Sequence, residues 1–475
     1  MTGAAPFIAL LALIHTQSSS VQELPSEPSA PYPSTPVAES GPSESPSWPS
    51  GPSSDSSEPR GGSKGGLGFR ALLEVGPLSF PSGTRGGKQD LFAYAYPSLG
   101  VDGGEDFAFM LGAPLRFRLI DEAPKQKDQD YGAYLRREDW DERSDYGQVV
   151  RLLRIGSEDG RGSLRIEPFL EESLGRGYLV NRYDNQLSAD YHPAGGTLAF
   201  TAGPARVELL ASDVLAARIF SGELLLDIGR LVSSNEQRFD RYLVRASAAH
   251  DFGEAGGITP EVTLASIAGE VAMYKGERLR AWVLVAGGGR LNGDSQDLGG
   301  LLGLAFEGTF KGTQISTTIQ GRRQGGGFRF GFFGAGYELA RFSAQGLSQE
   351  PAAREDLPED FSGYLEVSMA RGSATDSTEV VASGSVEYFA FGRTDADLSL
   401  SFSTPGGKSR GIARVVVMGL GSAPRYSVGI EGRQRILPAL YLWAAGNTVH
   451  FPQPDGTLVR GVSAGAGVGV DFARH

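Results

Sequence analysis

The sequence predicts an all-β protein. The expected architecture is a large antiparallel membrane-spanning β-barrel of roughly 16 to 20 strands, preceded by a signal peptide and a disordered Ser/Pro-rich linker. Three observations predict it. Alternation of apolar and polar residues recurs from residue 66 to residue 475, in segments near the ~10 residues that a membrane strand needs. No run approaches the ~18 to 20 consecutive apolar residues of a membrane helix. The polar positions of the alternating segments are small and glycine-rich, in a chain with 67 Gly among 475 residues.

The chain starts MTGAAPFIALLALIHTQSSS. Residues 7–14 form an apolar run of signal-peptide length, too short to span as a helix, and small polar residues follow it. The first residues lack Lys and Arg, so a buried helix start is the alternative; residues 1–17 are expected to be a signal peptide. Residues 18–65 are dense in Ser and Pro, as in SEPSAPYPSTPVAESGPSESPSW, with almost no apolar periodicity. Such a tract cannot offset its ordering entropy by burial, and its prolines favour extended backbone. It is expected to be a disordered linker, acting as a tether or as an inert spacer.

Residues 66–475 carry the barrel. In 397–403, DLSLSFS, the residues Leu398, Leu400 and Phe402 alternate with serines. Leu304, Phe306 and Phe310 share one face, and Glu307, Thr309 and Lys311 the other. Ile315, Thr317 and Ile319 oppose Ser316, Thr318, Gln320 and Arg322. Tyr426, Val428 and Ile430 oppose Ser427, Gly429 and Glu431. The last segment sets Val462, Ala464, Ala466, Val468, Val470 and Phe472 against Ser463, Gly465, Gly467, Gly469 and Asp471. Period two places each set on its own face of a sheet. Closure into a barrel removes the edges that so many strands would otherwise expose. The ~10-residue ruler gives about 18 strands as the best single value. Aromatics near segment ends (Phe92, Tyr94 and Tyr96; Tyr388, Phe389 and Phe391; Tyr441 and Trp443) fit an interfacial girdle or plain β propensity.

The net charge of −12 argues against a nucleic-acid partner, and the absence of Cys excludes disulfides and thiolate metal sites. Alternation nominates inward charges. Arg116 and Arg118 share a face opposite Leu115, Phe117 and Leu119, and Glu431, Arg433 and Arg435 share another. With Glu307, Lys311 and Arg322 they are expected to line the lumen. They would either create a transverse field that selects solutes or merely fill the interior with salt bridges. The least barrel-like stretch, 128–192, mixes Asp139, Asp141, Asp145, Asp184 and Asp190 with Arg136, Arg137, Arg143, Arg176 and Arg182. Asp139, Asp141, Asp145, Arg182 and Asp184 are read as an inward-folded plug or as exposed loops. Asp139, Asp141 and Asp145 have loose calcium-loop spacing, but Ser144 stands where the turn glycine belongs, so no metal site is assigned.

A signal-like start, sustained alternation and a final alternating strand ending near Phe472 resemble the bacterial outer-membrane β-barrel proteins, porin-like members included, over 66–475. The segment LGRGYLVNRYDNQL, 174–187, is similar to stretches of large barrels of unassigned function. In that class the last residue is usually aromatic, whereas Phe472 is followed here by Ala473, Arg474 and His475. The resemblance implies export through the periplasm, contact with the barrel-insertion machinery and with outer-membrane lipid, no cofactor, and a passive or gated pore for small polar solutes. A structural or anchoring barrel and a soluble secreted β-rich protein are the alternatives. So is a lipid-active barrel enzyme: Ser188, Asp190 and His192 are its one local cluster, and no recognised catalytic motif is present, so no catalytic residue is assigned.

Overall fold

A computed structural model describes residues 67–474, apart from 82–87, 105, 122–134, 158–159, 189–190, 236–237, 254–260, 293–296, 345–349, 373–376, 423 and 454–455. The expected signal peptide and linker lie outside the described residues, as does Asp190.

The described chain is a closed antiparallel barrel of twenty strands. Its first half comprises β1 (Gly68–Pro81), β2 (Gln89–Asp102), β3 (two pieces, Phe107–Gly112 and Leu115–Ile120), β4 (Val150–Ile155), β5 (Gly162–Glu167), β6 (Gly195–Ala202), β7 (Ala205–Ala211), β8 (Ile219–Asp227), β9 (Tyr242–Asp251) and β10 (Val262–Lys275). The second half comprises β11 (Leu279–Arg290), β12 (Leu298–Phe310), β13 (Thr313–Gly326), β14 (Leu357–Arg371), β15 (Glu379–Phe389), β16 (Thr394–Ser403), β17 (Ser409–Leu420), β18 (Arg425–Arg435), β19 (Leu440–Pro452) and β20 (Thr457–Arg474). Each strand pairs with its sequence neighbours. β1 and β20 close the ring, from Phe69↔Arg474 to Ser79↔Ala464. Twenty lies at the top of the expected range and above the best value of 18. The ~10-residue ruler undercounts short strands, and β4 and β5, in the charged stretch after residue 128, are only six residues long.

Alternation sorts the two faces. Leu398, Leu400 and Phe402 are exposed on the outside, while Ser399 is buried within. Ile315 and Ile319 face out, and Gln320, Arg322 and Gln324 are buried inside. Large exposed apolar side chains recur on nearly every strand, among them Ile267, Leu302, Ile430 and Val462. Such a band is an aggregation surface in water and the stable outer face of a barrel in lipid.

The aromatics placed near segment ends do not form a girdle. Phe92, Tyr96, Phe389, Tyr441 and Trp443 are buried inside, and only Tyr388 and Phe391 of that set are exposed. Tyr94 stacks on Tyr96 and meets Trp443 edge-on at 5.5 Å. The inner face of β20 makes room for them. The ring of Trp443 packs over Gly465 and that of Tyr441 over Gly469, where a Cβ would meet ring atoms at 3.2 and 2.2 Å. A strand apolar on both faces leaves its inward set ambiguous, so of the two readings these aromatics fit plain β propensity.

The barrel ends differ. The chain ends and the shortest connections, 203–204 and 311–312, share one end. Among these connections is the Lys311–Gly312 hairpin turn, with φ of 48° and 77°. The opposite end carries the three longest connections, 121–149, 168–194 and 327–356.

Candidate functional site

Two of the long connections fold into the barrel. In 168–187, positive-φ turns at Gly175 and Gly177 reverse the chain. They turn Tyr178, Leu179, Val180 and Tyr183 into a buried cluster. A Cβ on Gly177 would lie 2.8 Å from that of Asn181, so the turn requires glycine. In 327–342, Phe328, Phe330, Phe332, Phe333 and Tyr337 join the same cluster. The two insertions pair in parallel, Phe333↔Val180 and Gly334↔Asn181. Gly331 N–H donates to Tyr178 O at 2.9 Å, which satisfies backbone groups far from water.

Charged hydrogen bonds tie the insertions to the wall. Arg176 donates to Glu270 at 2.8 Å and to Glu307 at 3.2 Å, and Tyr178 donates to Glu270 at 3.1 Å. Asn181 donates to the Tyr364 hydroxyl at 2.7 Å. Arg182 donates to Asp397 at 2.7 Å, and Arg414 to Asp184 at 2.7 Å. Arg322 donates to Glu387 at 2.9 Å and to Phe330 O at 3.2 Å. Arg341 pairs with Asp251, both fully buried, and Tyr337 donates to the same carboxylate. A cavity of about 70 Å³ remains between the insertions and the wall, bordered by Asn181, Arg322, Tyr364, Glu387 and Asp397.

The candidate residues fall into three groups. Glu307, Arg322, Arg182 and Asp184 meet where the insertions touch the wall. Glu431, Arg433 and Arg435 face inward at the other side of the barrel, joined there by Glu74 and Asp471. Arg116 and Arg118 face inward from β3, against Asp139 and Asp90 respectively. Lys311 does not line the lumen. It sits exposed in the β12–β13 turn, where the alternation of β12 has already ended. The segment 327–342 was missed. Its signal was present in GFRFGFFGAGY: five aromatics in eleven residues, spaced by glycines, are too apolar for an exposed loop.

The third long connection holds the remaining aspartates. Asp139 is buried against Arg116 and Arg136, with His192 at 3.9 Å. Burial works against its ionised form, but the two guanidinium charges outweigh that and hold the carboxyl below its usual range. Asp141 is exposed, and no group of three His, Asp or Glu that would hold a metal is found among the described residues. Ser188 forms an isolated bridge to His450, and its hydroxyl has no partner among the described residues.

Asp145 is buried as well. It accepts from Glu142 N–H at 2.8 Å, and its other oxygen has no partner among the described residues. Burial first, then the charges of Glu142, Asp141 and Asp139, push its carboxyl from 3.8 up to about 7. The folded segment therefore holds a proton there that the unfolded chain has lost. Its seating weakens as pH rises from about 4 to about 7 and is flat above that. Amide exchange across 136–149, corrected for intrinsic rates, should be slower at pH 5 than at pH 8. In Asp145→Asn that difference should vanish; its persistence would rule out Asp145 as the cause.

No protein-family profile matches the chain, and no curated protein sequence matches it. Solved structures match over most of its length at low identity. CdiB from Acinetobacter baumannii is 7% identical over 85% of this chain and 60% of its own, with a TM-score of 0.27. This chain thus spans 60% of the length of CdiB. OpdK from Pseudomonas aeruginosa, solved with vanillate, is 8% identical over 86% of this chain and 99% of its own, with a TM-score of 0.35. A porin refined at 1.8 Å is 11% identical over 86% of this chain and 100% of its own, with a TM-score of 0.29. The chain is similar to these barrels at fold level alone. Its architecture, a closed twenty-strand antiparallel barrel with an apolar outer face and an ion-paired interior, rests on its own strand register.

Proposed function

We propose that this chain is a bacterial outer-membrane β-barrel that passes small polar solutes through a narrowed, gated lumen. The observation that carries the reading is the water-reached polar lumen wall toward the short-turn end, on the other side of the barrel from the insertions. Arg70, Glu431, Arg433 and Arg435 project inward and keep 20 to 36% of their side-chain surface exposed. Fully packed interiors leave charged groups far less accessible. The apolar outer face supports the membrane setting. The shortest turns and the chain ends at one end, with the three longest connections at the other, match barrels whose short turns face the periplasm. That orientation entails export through the periplasm and delivery to the insertion machinery. In this reading the insertions at 168–187 and 327–342 are the constriction, and Arg182 and Asp184 are among its anchors.

The test is conductance of the full chain in a planar lipid bilayer. Stable unit steps, smaller than those of an unobstructed barrel of this strand number, are expected. Insertion without steps at any voltage would overturn the pore and leave a structural barrel. Ser188→Ala with His192→Ala should leave conductance unchanged, because neither residue belongs to the inserted segments or to the Arg70, Glu431, Arg433 and Arg435 group.

A further inference from the structure

We propose that Arg410, at the short-turn mouth of the lumen, is a binding site for the oxyanion group of a permeating solute, a carboxylate or a phosphate. The proposal rests on the pore reading and names its solute class.

Four arginines converge where β17, β18, β20 and β1 reach the short-turn end. Arg410 pairs in register directly with Arg433 across β17 and β18. Like charges placed opposite on neighbouring strands are destabilising. The nearby carboxylates are already engaged. Arg70 grips Asp471 through two hydrogen bonds of 2.9 Å, and Arg435 lies 3.3 Å from the same carboxylate. Arg433 spans Glu74 at 3.2 Å and Glu431 at 3.1 Å, and Glu74 also accepts from Tyr441 at 2.7 Å. Four guanidinium groups therefore share three carboxylates. Arg410 is the one left over: it feels Arg70, Arg433 and Arg435 and, more weakly, the Asp471 carboxylate that Arg70 and Arg435 hold, and its side chain makes no hydrogen bond or ion pair among the described residues. Its guanidinium reaches the 405–407 turn, 3.2 Å from where a Cβ on Gly407 would lie, and keeps partial access to water.

The rest of the interior shows what a merely structural arginine looks like here. Arg176, Arg182, Arg245, Arg322, Arg341 and Arg414 each meet a carboxylate across the barrel or from an insertion. An unpaired guanidinium, held between other cations and facing water, offers the flat donor fork that matches a carboxylate or phosphate. Low-dielectric walls focus its field into the opening.

The experiment uses the full-length protein in a planar bilayer under a potassium chloride gradient, with inorganic phosphate or acetate added at the short-turn side. Chloride should permeate in preference to potassium. Arg410→Gln should at least halve that preference and weaken block by the oxyanion, while Arg410→Lys keeps the chloride preference but loses most of the block. Block by phosphate alone, or by acetate alone, supports the site and identifies which group it takes. Unit steps whose reversal potential and block are the same in Arg410→Gln as in the unaltered protein would overturn the site and leave the pore standing. Absence of steps in the unaltered protein would overturn both.

Discussion

Gly467→Ala is expected to prevent closure of the barrel. β1 and β20 approach so closely at Gly76 and Gly467 that a Cβ on Gly467 would lie 2.0 Å from Val75 O and 2.9 Å from Gly76 Cα. A Cβ on Gly76 would lie 2.1 Å from Ala466 O. Both obstructions are backbone, so no rotamer relieves them. Overpacking of this kind costs about 1 to 3 kcal/mol in a core that can shift. Here the cost should lie at or above that upper value, because the strands that would move are the two that seal the ring. A barrel that cannot seal leaves two edges in lipid, each a row of unsatisfied backbone groups. The expected result is loss of the folded, heat-modifiable band on electrophoresis and of protease resistance. Gly269→Ala is the control: a Cβ there meets nothing within 4 Å, and its folded yield should match the unaltered protein. Equal folded yields for both substitutions would refute a steric seam.

Arg341→Ala should unseat the inserted segment 327–342. Arg341 and Asp251 have no exposed side-chain surface, and Glu338 lies 3.9 Å from the same guanidinium. Removing the cation leaves two buried carboxylates without their counter-charge. Loss of one partner from such a pair costs about 3 to 5 kcal/mol. The wall itself keeps its ladder of backbone hydrogen bonds, so the segment should release while the barrel stays closed. Proteolysis within 327–356 should appear, with larger unit conductance if the segment is the constriction. Arg323→Ala removes an exposed pair with Glu359 and should change neither. Resistance to protease equal to the unaltered protein would show that the aromatic cluster alone holds the segment.

The two halves of the interior were legible to different degrees. The inward set of β13 was readable because Ile315 and Ile319 oppose Gln320 and Arg322, so chemistry and parity agree. On β2 and β19 they do not agree: Phe92, Tyr96, Tyr441 and Trp443 take the inward positions, which fits plain β propensity and not the interfacial girdle that was the other reading. Lys311 fits the inward parity of its segment, but the strand ends one residue earlier, and a turn residue has no face. The dense charge of 128–192 marked a stretch unlike a simple strand, yet it concealed β4 and β5 beside the insertion that follows them.

Sequence alone determined the class of this protein: alternation is a local property, and period two assigns faces without knowledge of any partner. It also determined that a helix could not carry the membrane span, since no run is long enough. The tertiary structure decided what fills the barrel. Arg182 finds Asp397 215 residues away, and Arg414 finds Asp184 at a separation of 230. Those pairings depend on strand order and on which connections turn inward, and no local pattern encodes either. It likewise decided that Arg410 has no carboxylate in ion-pair contact among the described residues, because a register of strands, and not a spacing along the chain, places it opposite Arg433.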